Sequence, residues 1–232
     1  MSNQNHSNRA TLITEDDVLP LNTKRIYLVR HAQSYLLGQK ISMDPELTAV
    51  GIRQAEELKK YFATRDIDLI FTSELIRAKK TGEIVRGSQD HIATKILPEL
   101  NEYHAANQWR EWSDKETIRL IQERIYKPDQ KSLGEDLRSF HQRVKKAWEK
   151  VLAQPSRNIL IVTHNAVIRM LFSIMMGMTE ESELPFVIAY PHASISEVRV
   201  VDTEADPHLP KQMLVIRYMC QSNHLSKSSI TY

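Results

Sequence analysis

Strand-type and helix-type hydrophobic patterns alternate along most of this chain. Arg25 to His31 is an apolar run of Ile, Tyr, Leu and Val that suits a buried strand. Thr48 then offers an N-cap to a helix reaching about Arg65, with Ile52, Ala55, Leu58 and Phe62 on one face. Leu69 to Ser73 predicts a second strand, and Glu74 to about Arg86 a second helix. A third strand falls near Thr94 to Leu97, closed by Pro98. The stretch from Asn101 to Gly134 is the least regular. Within it, Ser113-Asp-Lys-Glu116 reads as a capping box before Ile118, Ile121 and Ile125. Ser132-Leu-Gly-Glu135 is a second such box. It precedes the clearest amphipathic stripe: Leu137, Phe140, Val144, Ala147, Trp148 and Val151. Asn158 to Thr163 is apolar without alternation, as a central strand is. A helix follows to about Gly177, and strands at Ile195 to Val201 and Met213 to Cys220 close the pattern.

Strands separated by helices predict an α/β fold, a three-layer α/β/α sandwich around a six-stranded, mostly parallel sheet. No helical pattern lies between the last two strands, so one strand is expected antiparallel. No linker or repeat divides the chain. Residues 23–225 read as a single domain, preceded by a polar, mobile arm at 1–22 and followed by a tail at 226–232. The length of 232 residues suffices for one large core.

Charge and composition narrow the function classes. The 31 basic and 29 acidic residues nearly balance, which is no footprint of nucleic-acid binding. No apolar run approaches membrane-spanning length, and Met1 to Asn22 lacks the apolar centre of a signal peptide. The single cysteine, Cys220, leaves no intramolecular disulfide framework, and a cytoplasmic setting is expected.

The candidate chemistry sits where apolar strands end in polar residues. The first strand ends in Arg30-His31, and ligands bind at the carboxyl ends of strands in open α/β sheets. Taken alone, this ending suits a satisfied histidine beside a surface arginine as well as it suits an anion site. The apolar strand before His164 repeats the pattern, and its following helix would aim backbone amides at the same mouth. Arg77, about one turn into its own helix, could reach that mouth or stay solvated beside Lys79 and Lys80. No paired His or Cys residues stand at metal-ligand spacing, so no metal and no cofactor are expected.

Leu28-Val-Arg-His31, Leu47-Thr-Ala-Val-Gly51-Ile-Arg-Gln-Ala55, Ser73-Glu-Leu-Ile-Arg77-Ala-Lys-Lys-Thr81, Leu100-Asn-Glu102, Gly134-Glu135 and Thr163-His164-Asn-Ala-Val resemble, in order, the signature of the histidine phosphatase superfamily, the phosphoglycerate-mutase-like group. Tyr190-Pro-His-Ala-Ser-Ile and Ser222-Asn-His-Leu225 also resemble its closing segments. The resemblance implies a phosphoglycerate-mutase-like fold and a metal-independent phosphomonoesterase. His31 would carry the phosphoryl group, and Glu102 would be the general acid and base. Arg30, Arg77, His164 and Asn165 would hold phosphate, with His164 also counted as catalytic.

The chain departs from the family pattern at Ala32, Gln33, Leu37 and Asn165, where glycine, glutamate, asparagine and glycine are usual. Glu99 lies close enough to Glu102 to compete for the acid role. A lid is expected over 103–131, with Tyr103, Trp109, Trp112 and Tyr126 lining a pocket or packing the lid down. Its charges nearly cancel, which does not favour a polyanionic substrate. The expected partner is a small-molecule phosphomonoester or a phosphoprotein, acted on by a monomer or homodimer. Two alternatives stay open: a phosphoglycerate-mutase-type phosphotransferase, and a catalytically weak relative that binds a phosphorylated ligand.

Overall fold

A computed structural model describes residues 23–35, 44–103, 135–179, 188, 190–204 and 206–232. The polar arm at 1–22, the capping box at 113–116, Leu37 and all of the 103–131 segment beyond Tyr103 lie outside these residues.

Among the described residues, six strands and four α-helices follow in chain order: β1 (Lys24–Arg30), α1 (Ala49–Phe62), β2 (Leu69–Thr72), α2 (Ile76–Arg86), β3 (Ala93–Ile96), α3 (Leu137–Leu152), β4 (Asn158–Thr163), α4 (Asn165–Met175), β5 (Ile195–Asp202) and β6 (Gln212–Gln221). The strands form one six-stranded sheet in the order β3-β2-β4-β1-β5-β6. The first four are mutually parallel, while β5 runs antiparallel to both β1 and β6. The apolar run of β4 is explained by its central place, paired on both edges and covered on both faces. β3 is exposed along its length, as befits the edge of the sheet.

Alternation along the strands splits the core into two. Ile26, Leu28, Ile159 and Ile161 face α3 and α4, where they meet Val144, Trp148 and Leu171. Tyr27, Val29, Leu160 and Val162 face α1 and α2, where they meet Leu58, Phe62, Ala78 and Val85. Each fully buried aliphatic or aromatic side chain stabilises by about 1.5–3 kcal/mol relative to exposure. The two layers together make the expected α/β/α sandwich. No helix among the described residues is long and apolar enough to cross a membrane.

Three local expectations are corrected. Ile52 is 47% exposed, because α1 buries Gly51, Gln54, Ala55, Leu58 and Phe62 instead. The helix is rotated toward Gly51 so that its backbone can approach the turn after β1. The cap of α3 is Asp136, whose carboxylate accepts from the Ser139 amide, and not the Ser132 box. Glu135 is instead engaged by Arg143. α2 begins at Ile76, where the Asp44 carboxylate accepts from the Ile76 amide and satisfies one orphan donor of the first turn.

Candidate active site

Register places the two strand-end histidines together. Arg30 of β1 stands beside Thr163 of β4, and the His31 amide donates to the Thr163 carbonyl at 2.8 Å. The next residue on each strand, His31 and His164, therefore opens at the same carboxyl edge. Their rings are 5.0 Å apart between centroids, and both are buried.

The His31 tautomer follows from its neighbours. Nδ1 lies 2.8 Å from the Ala32 carbonyl, which can only accept, so Nδ1 carries the proton. Nε2 is left with its lone pair, and the Arg77 Nε–H points at it from 3.3 Å. Burial, then His164, Arg77, His192 and Arg30, hold the His31 pKa well below the ordinary histidine value. A neutral, correctly oriented imidazole is the form that can act as a nucleophile.

Both predicted arginines are buried beside it. Arg30 donates through Nη1 to the Tyr190 carbonyl and through Nη2 to His192 Nε2 at 2.9 Å. Its Nε–H has no hydrogen-bond partner among the described residues, an unmatched cationic donor next to His31. Arg77 is not solvated: besides His31 it faces Asp44, 3.5 Å from its Nη1. His164, the residue preceding α4, lies with Nε2 2.8 Å from the Ser73 hydroxyl. Asn165 opens α4.

The two candidate acids separate clearly. Glu99 turns toward α3 and meets Lys150 at 2.5 Å. Burial raises its pKa, but the hydrogen bond and charge of Lys150 outweigh that and lower it overall. Glu102 faces the arginines and takes the Tyr103 amide at 2.9 Å. Part of Glu102 remains solvent-accessible, yet burial is the largest influence on its carboxyl. Burial raises its pKa against the lowering effects of the Tyr103 amide, Arg77, Arg30 and the Ala166 amide.

Several residues the sequence did not single out support this arrangement. His192 accepts from Arg30, so its other nitrogen, 3.1 Å from Thr231 Oγ1, is the donor. Burial and then Arg30 push its pKa down to about 2. Thr81 accepts the Ala32 amide at 3.0 Å and ties α2 to the turn carrying His31. Gln54 accepts the Gln33 amide and donates to Ser229 and Thr231, so the 226–232 segment packs behind the site. All three lie inside segments that resemble the family, but each acts through a partner tens of residues away or more.

The departures from the family pattern find places. Among the described residues, only Ala193 and Cys220 hold positive φ outside glycine, so Ala32 sits without strain. The Gln33 amide oxygen accepts from the Thr48 hydroxyl at 2.7 Å and serves the start of α1. Tyr103, the one lid aromatic described, packs on Phe140 with ring centroids 4.9 Å apart. No group of three or more His, Cys, Asp or Glu side chains is placed to hold a metal among the described residues.

Comparison with known proteins completes the picture. The family model for the histidine phosphatase superfamily (branch 1) matches residues 26–209. A protein of Arabidopsis thaliana named "Probable 2-carboxy-D-arabinitol-1-phosphatase" is 30% identical over 204 residues, 77% of this chain but 40% of that protein. The adenosylcobalamin/alpha-ribazole phosphatase of Escherichia coli is 30% identical over 171 residues, covering 68% of this chain and 82% of the relative. The crystal structure of the alpha-ribazole phosphatase from Shigella flexneri superimposes with a TM-score of 0.60 at 28% identity, over 75% of this chain and 89% of that one.

Proposed function

Because the chain belongs to the histidine phosphatase superfamily (branch 1) and is a phosphatase, we propose that it hydrolyses phosphomonoesters without a metal, through a phosphoryl group carried on His31. The observation that carries this reading is the His31 ring. Its Nδ1 is tied to the Ala32 carbonyl and its Nε2 lone pair faces Arg77, in a pocket shared with Arg30, His164 and Glu102.

His31 Nε2 attacks phosphorus as the bond to the leaving oxygen breaks. Glu102, whose pKa burial raises, gives its proton to that oxygen. Arg30, Arg77, His164 and Asn165 take the non-bridging oxygens. The Arg77 Nε–H, directed at the histidine in the free enzyme, is placed to turn to the phosphoryl group once Nε2 is bonded to phosphorus. Such preorganised donors suit a reaction that depends on positioning and charge stabilisation. In the second half, the Glu102 carboxylate removes a proton from water, which attacks phosphohistidine. That step breaks the N–P bond, frees His31 and inorganic phosphate, and restores the acid.

Residues 23–225 would act as one catalytic domain, with the 226–232 segment packed behind its site. The substrate would be a small phosphomonoester, the class named for the relatives that match over most of their length. The test is hydrolysis of 4-nitrophenyl phosphate in the presence of a chelator, with acid-labile phosphate trapped on the protein by rapid quench. His31→Ala should remove both. Retained activity in that variant sinks the nucleophile assignment, and loss of wild-type activity to the chelator sinks the metal-free reading.

A further inference from the structure

The turn from Pro98 to Glu102 presents Glu102 to the phosphate pocket, and Arg143 of α3 is bonded to it at two points. Its Nη1 donates to the carbonyls of Glu99 and Asn101 at 2.8 and 2.9 Å. The other face of the same guanidinium is a fork: Nε and Nη2 each meet a carboxylate oxygen of Glu135 at 2.6 Å. Both side chains are largely withdrawn from water, at 19% and 14% exposure, where a two-point pair holds its geometry well. The guanidinium also lies over the Phe140 ring at 5.0 Å.

The turn is held from other sides as well. The Thr163 hydroxyl, one residue before His164, donates to the Leu100 carbonyl at 2.7 Å. The Asn101 side chain accepts from the Glu74 amide and donates to the Glu74 carboxylate, both at 2.9 Å, which couples the turn to the segment leading into α2 and Arg77. Three successive carbonyls before Glu102 are thus fixed, two of them by Arg143. All three nitrogens of Arg143 are occupied in this bracing.

We infer that Glu135 and Arg143 are a positioning pair for Glu102, acting on protonation of the leaving group and not on phosphoryl binding. The inference rests on the general-acid role proposed above. A positioning role of this kind has a kinetic signature. An aryl phosphate such as 4-nitrophenyl phosphate departs as a stable anion and needs little protonation. An alkyl phosphate cannot leave without it, and general acids contribute typically 10²–10⁴-fold. Misplacing the acid should therefore penalise alkyl substrates selectively.

The experiment compares kcat/KM of Arg143→Met, Arg143→Lys and Glu135→Gln on 4-nitrophenyl phosphate and on 2-phenylethyl phosphate, with inorganic phosphate as competitive inhibitor. The expected result is a loss of about 10-fold or more on the alkyl ester, against less than about 3-fold on the aryl ester. The inhibition constant for phosphate should be unchanged, and Arg143→Lys should fall between wild type and Arg143→Met. Equal losses on both esters, or no loss on either in a protein that melts cooperatively, overturn the inference. Glu135→Gln keeps the shape of the fork and gives a readable result should Arg143→Met not fold. Glu102→Gln separates the two layers of argument. If it shows no preferential loss on the alkyl ester, the acid assignment itself fails. If it does and the Arg143 and Glu135 variants do not, only the positioning role fails.

Discussion

Gly51 shows how strict the geometry around His31 is at the level of one residue. A methyl group there would stand 2.0 Å from the Gln33 carbonyl oxygen, and backbone cannot give way as a flexible side chain can. Gly51→Ala should destabilise the protein by about 1–3 kcal/mol in urea titrations and lower kcat by displacing the turn two residues from His31, the proposed nucleophile. A neutral stability change would mean that the turn is softer than its packing suggests. The ionisation of single residues also sets the pH profile. With His31 as the proposed nucleophile, activity should rise with pH through a pKa held well below the ordinary histidine range. With Glu102 as the proposed general acid, activity should fall as pH passes a pKa raised above the ordinary carboxylate value. The profile of kcat/KM for an alkyl phosphate between about pH 4 and 8 should therefore favour the acid side. Glu102→Gln should flatten the alkaline decline, and an unchanged decline would assign it to another group.

At the level of elements, helix starts serve the site as much as the fold. The Thr48 hydroxyl accepts from the Gly51 amide at 3.0 Å, capping α1, and donates to the Gln33 side chain at 2.7 Å. Thr48→Ala should cost about 1 kcal/mol or somewhat more, since a cap and a side-chain bond go together, and Thr48→Ser should restore most of it. Asp136→Ala should lower the melting temperature through loss of the cap, while activity on aryl phosphates stays close to wild type; thermal melts and initial rates check both. The two caps differ in how readable they were. Thr48 stands directly before a clear apolar period. Asp136 lies close to Ser132, whose spacing to Glu135 satisfies the same pattern, and in the structure Asp136 caps the helix while Glu135 meets Arg143. Sheet order was less accessible still. The run at Asn158 to Thr163 announced a buried strand, but only pairing shows that it lies between β1 and β2.

Across the whole molecule, a buried neutral histidine behind the arginine ties stability to pH. In the unfolded chain His192 takes up a proton near its ordinary value of 6.5; in the folded protein it does so only near 2. Between those values unfolding binds a proton, so stability is fully present above pH 6.5 and falls as pH falls toward 2. One such group contributes a slope of up to about 1.4 kcal/mol per pH unit. Urea titrations of His192→Asn between about pH 6 and 4 should show a slope smaller than wild type by roughly 1 kcal/mol per unit. Identical slopes would show that His192 is not held neutral. The acid range that favours catalysis is thus also the range in which the fold weakens.

The sequence by itself determined the strands, the helices and the two histidines at strand ends, because hydrophobic periodicity is a local property and a polar residue closing an apolar run stands out within ten residues. It also held Arg77 as a candidate, through its place one turn into a helix and then through family resemblance, and Glu102 through family resemblance. Tertiary structure alone decided that Arg77 is buried against His31, that Glu99 belongs to Lys150 while Glu102 faces the arginines, and that Arg30 leans on a histidine 162 positions away. Those outcomes depend on desolvation and on contacts between distant segments, and neither leaves a trace in the order of neighbouring residues.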